Sequence, residues 1–378
     1  MTIPPASNAR HLYLHIPYCA AKCPYCDFNS IAGREDEFES YVDALLEEVG
    51  RLPVGPYETV FIGGGTPTIL GPQALERLLA GIRDHIHLAA NYEWTCEANP
   101  GSSDAERFAL LAEHGVNRIS LGVQAVQDHH LRFLGRVHDL DQARGALALA
   151  KQAVPRVSAD LIIGLPGQTR SELAATIAFI GEHELEHASV YHLAIEAGTE
   201  FHARYQRGEL QVLDQDTSRD LLEQAWSGLA ALGLEQYETS NFARPGAECR
   251  HNLAYWRQRD YQAAGCGAVS TLAGQRMTRE KHPGRYIAAI QAGGDAAWQV
   301  EALTQVELIE ECWMLGLRLA DGVDLAALQA LGDASERWHE TAVVLARQGL
   351  IQYDGSRLAL SPEGRAVQDA VTVALMPG

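Results

Sequence analysis

Three cysteines, Cys19, Cys23 and Cys26 in HLYLHIPYCAAKCPYCDFNS, have the types and spacing to hold a metal centre. At separations of four and three residues in one loop after a strand, their sulfurs converge without help from the rest of the chain. A cube of four irons normally takes four thiolates. Here the fourth local position is missing, because Phe28 stands two residues beyond Cys26. One iron would be left open to a small chelating molecule. Two other chemistries use the same residues. With His15 the cysteines make a Cys3His zinc set, and Cys23 with Cys26 has the spacing of a thiol redox pair. Zinc usually needs a rigid knuckle with its fourth ligand at a comparable spacing. His15 instead lies in LYLHI, where Leu12, Leu14 and Ile16 alternate with Tyr13 and His15 across a strand. The 4Fe–4S cluster is the expectation.

CxxxCxxC with an aromatic residue, Tyr25, before the last cysteine resembles the signature of the radical-SAM superfamily, in which S-adenosylmethionine (SAM) chelates the open iron through its amino and carboxylate groups. Gly63-Gly64-Gly65-Thr66-Pro67 ends the next strand and lets backbone come close to a ligand. Its spacing is not that of the dinucleotide pattern GxGxxG. It is similar to the superfamily's GGE-type segment, which receives the SAM ammonium group.

Positioning these residues falls to an alternation of strands and helices. A helix from about Asp36 to Arg51 precedes the strand TVFIGG, and Pro72 opens a second helix before EWTCEANP. Asp104 caps a third, which runs to Gly115. RISLGVQ, VSADLIIGLP and ASVYHLAI read as further strands, separated by helices over 139–153 and 170–183. Repeated alternation predicts parallel strands with right-handed crossovers. Glu97, Gln124, Arg136, Asp160 and His192 all fall at or just past strand ends, with the cysteines and Gly63–Thr66. Chemistry spread over several strand ends is the habit of a barrel, whereas an open sheet gathers it at one switch point. A partial barrel over residues 1–240 is therefore expected. Residues 243–285, rich in Gly, Arg, Gln and Pro, read as a long loop within a segment 241–300. Residues 301–378 read as three helices (304–319, 324–331, 335–348) and a hairpin around Asp354-Gly355, a winged-helix-like module whose acidic surroundings favour a structural cap.

With 49 acidic against 30 basic residues, the net charge of −19 disfavours nucleic acid and anionic membrane surfaces as partners. No stretch approaches the roughly 20 apolar residues that cross a bilayer, and the first residues lack a signal-peptide core. Seven cysteines, three of them clustered, fit a reducing compartment. The expected location is the cytoplasm.

A closer resemblance runs through nearly the whole chain. HIPYCAAKCPYC, FIGGGTPT, CEANP, LGVQ, DLIIGLPGQT, YHLAIEAGT and SNFARPG, in this order, are similar to the family of the oxygen-independent coproporphyrinogen dehydrogenase, which includes a heme-chaperone branch. The match implies that Tyr13, Gly64, Gly65, Thr66 and Glu97 line a SAM pocket. It implies that Tyr25, Gln124, Arg136, Asp160 and Ala194 contact a SAM or substrate molecule. Two departures set the branch. The dehydrogenase has a further cysteine where Phe28 stands, and a longer extension before the cluster than the 18 residues ahead of Cys19. HNLAYW (His251–Trp256) resembles the chaperone branch's heme-binding motif HNxxYW. A neutral imidazole is a good axial ligand for heme iron, Tyr255 and Trp256 offer flat apolar faces, and Arg250 or Arg257 would pair with propionates. Cys249 is a second candidate attachment point. The same residues also suit a surface histidine in an Arg-rich loop beside core aromatics.

The resemblance implies a heme chaperone that carries a 4Fe–4S cluster and SAM and delivers heme to acceptors such as respiratory heme proteins. The alternative is a radical-SAM oxidoreductase in which a 5′-deoxyadenosyl radical removes hydrogen from a tetrapyrrole propionate.

Overall fold

Strands that are apolar on one side and polar on the other need a partner for each face. The computed structural model, which describes residues 9–293, 298–332 and 337–376, shows how both are met. The chain begins β1 His11–Ile16, β2 Tyr18–Cys19, β3 Ile31–Ala32, α1 Phe38–Val49, β4 Tyr57–Gly64, α2 Pro72–His85, β5 Leu88–Ala98 and α3 Ala105–Glu113. Next come β6 Arg118–Gln124, α4 Asp128–Phe133, α5 Leu140–Ala153, β7 Arg156–Ile163, α6 Arg170–Glu182, β8 His187–His192, α7 Glu200–Gln206 and α8 Gln215–Ala231. β9 Glu235–Gln236, β10 Asn241–Ala243, α9 Arg250–Trp256, β11 Tyr261–Ala264, β12 Val269–Leu272, β13 Gln275–Arg279, α10 Pro283–Gln291 and β14 Trp298–Ala302 follow. The last module holds α11 Gln305–Gly316, β15 Val323–Asp324, α12 Leu325–Ala330, α13 Arg337–Arg347, β16 Ile351–Tyr353, β17 Arg357–Leu360, α14 Pro362–Arg365 and α15 Gln368–Leu375.

Twelve strands make one sheet, in the order β14-β13-β12-β11-β1-β4-β5-β6-β7-β8-β10-β9. From β11 to β8 every neighbour is parallel, and α1, α2, α3, α5 and α6 supply the crossovers. Local chemistry starts these helices where the sequence predicts. Asp104 accepts from Arg107 N at the head of α3, and capping boxes at Asp139 and Thr169 open α5 and α6. On the outer face Leu12, Leu14 and Ile16 pack with Val60, Ile62 and the helix residues Leu45, Leu75 and Leu78. The inner face is polar. His15, Thr59, Glu93, Thr95, Arg118, Ser158 and His187 are all buried there. β4, apolar from Val60 to Ile62, is covered on both faces: Val60 and Ile62 pack towards the helices, while Thr59 and Phe61 meet His251 in the lumen.

The segment expected as loop is built differently. It contains α9, three strands and the start of α10. β11 takes the edge of β1, with Leu12 opposite Gln262 and Leu14 opposite Ala264, and β12–β14 continue as an antiparallel meander. Sheet thus runs past residue 240. A buried ion pair fastens this extension to α1: Arg279 Nε donates to Glu48 Oε1 (2.8 Å), whose other oxygen accepts from Tyr286 Oη (2.6 Å) and Gly265 N (2.8 Å). The C-terminal module has its own core around Trp313, Leu328 and Leu358, and a three-stranded sheet β15-β17-β16. Its hairpin turns where expected, Asp354 Oδ1 accepting from Ser356 N and Arg357 N, both at 2.8 Å.

Candidate functional site

The strand ends surround a cavity of about 340 Å3. Cys19, Cys23 and Cys26 line it, with Tyr25, Gly64, Gly65, Thr66, Glu97, Gln124, Arg136, Asp160 and Ala194. With His192, thirteen residues singled out in the sequence are thereby brought together, from five strand ends, the cysteine loop and the turn after α4 that carries Arg136.

The cysteine loop is held at several points. β2 pairs with β3 at its base, closing it through Tyr18–Ile31 and Cys19–Ala32. Cys26 N donates to Cys23 O (3.1 Å), and Phe201 N to Pro24 O (2.9 Å). Each sulfur has a neighbouring polar group. Thr66 Oγ1 donates to Cys19 Sγ (3.6 Å), Arg136 Nη1 donates to Cys23 Sγ (3.5 Å), and Ser30 Oγ lies 4.0 Å from Cys26 Sγ. Polar groups aimed at sulfurs are how a protein stabilises thiolate and tunes a cluster.

Zinc fits this trio poorly. A tetrahedral zinc with Zn–S near 2.3 Å holds its sulfurs about 3.8 Å apart. Among the described residues, the one set of three or more ligating side chains whose donor atoms all lie within 4.8 Å of each other lies elsewhere, and the three sulfurs do not form one. His15 is also committed: its Nε2 donates to Asn29 O (2.8 Å), leaving Nδ1 to accept from Tyr13 Oη (3.0 Å). A cube, where each thiolate binds its own iron, tolerates the wider spread.

Gly64 has φ +110°, and a Cβ there would sit 2.4 Å from the His15 ring; at Gly65 it would meet Tyr18 O at 2.4 Å. Glycine is required for the run to lie flat against the base of the cysteine loop. Gly64 N donates to Glu97 Oε2 (3.0 Å), Gly65 N to Ile16 O (2.7 Å) and Thr66 N to Tyr18 O (2.7 Å). With these amides used, the backbone has carbonyl oxygens to offer a ligand, which suits an ammonium group.

Two half-buried carboxyl groups, Glu97 and Asp160, face the cavity. Burial, and next the charge of Asp160, pushes Glu97 up to about 8. Burial pushes Asp160 up to about 6, opposed by hydrogen bonds from Ser189 and Ser120. Ser120 Oγ lies 2.9 and 3.1 Å from the Asp160 oxygens. Acids this costly to ionise favour a cationic ligand. Arg136 spans the site, its Nη2 donating to Gly122 O (3.0 Å) and to Asn99 Oδ1. A register shift at the end of β6 turns Gln124, at φ +68°, towards the cavity.

Tyr13 and His251 are placed elsewhere. Tyr13 is not in the cavity wall; it stacks on Phe61 with ring centroids 6.1 Å apart. His251, 0% exposed, continues this pile 5.2 Å from Phe61, deep in the lumen. Its Nδ1 is hydrogen-bonded to Thr59 Oγ1 (2.7 Å) and its Nε2 to Tyr255 Oη (2.8 Å). Burial, then the neighbouring His11, pushes its pKa down to about 3. Both ring nitrogens are used, so this arrangement leaves none for an iron. The surface-loop reading of His251 is equally excluded, since α9 fills the lumen with a polar face. Cys249 is buried as well, its Sγ donating to Glu93 Oε1 (3.6 Å). Asn99, Ser120 and Tyr191 also line the cavity and were not singled out. Asn99 lies inside CEANP and could have been found there.

The fold and the cysteine site define a radical SAM protein. Residues 13–180 match the Radical SAM superfamily and residues 303–367 the HemN C-terminal domain. The solved coproporphyrinogen III oxidase (HemN) of Escherichia coli superposes with a TM-score of 0.83 over 98% of this chain and 91% of its own, at 24% identity, a likeness of fold. Among curated proteins, the heme chaperone HemW of Mycobacterium tuberculosis is 36% identical, covering 97% of this chain and 94% of its own length. HemW of Escherichia coli K12 is 42% identical over 75% and 78%. The mouse mitochondrial radical S-adenosyl methionine domain-containing protein 1 is 34% identical over 98% and 88%. The chain belongs to the HemW family.

Proposed function

We propose that this protein is a heme chaperone that holds a 4Fe–4S cluster on Cys19, Cys23 and Cys26, takes SAM in the adjoining cavity, and passes bound heme to acceptor heme proteins. The observation that carries the cofactor part is the cavity wall itself, where three thiols stand beside two carboxyl groups that are costly to ionise and no fourth thiol is found among the described residues that line it. The heme part is supported by the relatives' names. When bound, SAM on a reduced cluster supplies one-electron cleavage of its sulfonium. The chain's residues do the rest. Thr66 and Arg136 hold and polarise the sulfurs, Glu97 and Asp160 receive positive charge, and the carbonyls of the glycine run receive an ammonium.

His251 enters this reading as a heme ligand through motion. It can meet iron once α9 withdraws from the lumen and Thr59 and Tyr255 release its nitrogens.

Heme titration into anaerobically reconstituted protein tests the reading. A stoichiometric Soret band is expected, weakened in His251→Ala. An unchanged band in that variant removes His251 from the site, and absence of saturable binding in the parent protein overturns the chaperone. Formation of protoporphyrinogen from coproporphyrinogen under reducing conditions would replace it with the dehydrogenase reading. Cys23→Ser is expected to lose iron and sulfide together; zinc without sulfide in the parent overturns the cluster.

A further inference from the structure

His129 and His130 open α4, and Glu172 lies in the first turn of α6, away from the cysteine site. Their three donor atoms lie within 4.8 Å of one another. His129 Nε2 is 3.1 Å and His130 Nε2 is 3.7 Å from the same oxygen, Glu172 Oε1. In a tetrahedral zinc site with bonds of about 2.0–2.2 Å, neighbouring donors stand roughly 3.3 Å apart, so these two distances bracket the requirement.

A second observation points to a ligand. His130 is 3% exposed, and its Nε2, buried and directed at Glu172, has no hydrogen-bond partner. A buried polar nitrogen left unmatched is costly. The carboxylate is already oriented towards the pair. Its Oε2 accepts from Thr169 N and Oγ1, both at 2.8 Å, in the α6 capping box, which turns Oε1 to the imidazoles. We propose that His129, His130 and Glu172 bind a borderline divalent metal ion, Zn2+ in the first place, with water completing the shell.

The protonation states suit this. Burial, and next His129, holds His130 below the usual imidazole value, and the Thr169 backbone hydrogen bond holds Glu172 below the usual carboxylate value. A neutral imidazole and an ionised carboxylate are the metal-binding forms. The ion would clamp α4 to α6. His130 O accepts from Leu134 N (2.9 Å) and Leu131 O from Arg136 N (2.9 Å), so the clamp bears on the turn that carries Arg136 to Cys23.

The test is calorimetric titration of ZnCl2 into untagged, cluster-loaded full-length protein under anaerobic conditions, with iron and sulfide assayed before and after. One zinc per chain is expected with the cluster intact. Substituting an outer-shell partner already weakens metal sites about 10- to 100-fold, and His130→Ala and His129→Ala remove ligands, so each is expected to weaken binding at least that much. His129 is largely exposed, so its variant decides the matter if His130→Ala fails to fold. No zinc binding by the parent, or equal affinity in His129→Ala, reduces the trio to a salt-linked histidine pair and overturns the proposal.

Discussion

Arg136 Nη1 donates to Cys23 Sγ across 3.5 Å while its other terminal nitrogen holds Gly122 O and Asn99. A cation and donor at a cluster sulfur favours the reduced form. Arg136→Ala is therefore expected to make the cluster's midpoint potential more negative, on the order of tens of millivolts, in an EPR-monitored redox titration. An unchanged potential would deny Arg136 this influence.

Gly65→Ala puts a methyl group 2.4 Å from Tyr18 O, a backbone atom that cannot swing away. Overpacking of this kind costs about 1–3 kcal/mol. A lower melting temperature and reduced iron content after reconstitution are expected. Gly71→Ala, where a Cβ would meet nothing within 4 Å, serves as the control.

The two cavity acids give stability a slope with pH. Glu97 is raised from 4.5 to about 8, and Asp160 from 3.8 to about 6. Each contributes stability that is fully present below its unfolded value and lost as pH rises through its folded value. The melting temperature of ligand-free protein is expected to fall between about pH 4 and pH 8, and Glu97→Gln is expected to flatten the upper part. Because a cation restores the carboxylates, SAM affinity is expected to rise over the same range.

His251→Ala empties a fully buried site and strands the hydroxyls of Thr59 and Tyr255. The expected cost is about 2–4 kcal/mol, measurable by chemical denaturation of the heme-free protein. A change below roughly 0.5 kcal/mol, the scale of an exposed position, would mean that α9 does not occupy the lumen in solution.

Much of the site was legible because its signals are local. Cysteine spacing, the glycine run and the capping residue Asp104 act within a few positions of themselves. What the sequence concealed is decided by tertiary surroundings. α9 turns His251 into a polar lumen, so its buried face is not apolar, and no hydrophobic stripe announces the helix. For the same reason a histidine that packs on Phe61 looked like an accessible ligand. β11 carries Gln262 and two alanines, little resembling a sheet strand until β1 is seen beside it. α4 and α7 are six and seven residues long, too short for periodicity to show. The two histidines of α4 gain meaning only from Glu172, which is remote in sequence.

The pairing of β1 with β11 has a consequence for biogenesis. Asn29 Nδ2, inside the cysteine loop, donates to the carbonyl of Cys266, 237 residues further along the chain (3.1 Å). The strand leading into the loop is likewise flanked by residues 261–264. A nascent chain emerging from the ribosome exposes its thiols first and gains their last wall only near the end of synthesis. On the proposed reading, iron loading of a fully seated loop would thus belong to the finished polypeptide, and a protein truncated before residue 260 would present its cysteines on an uncovered sheet edge.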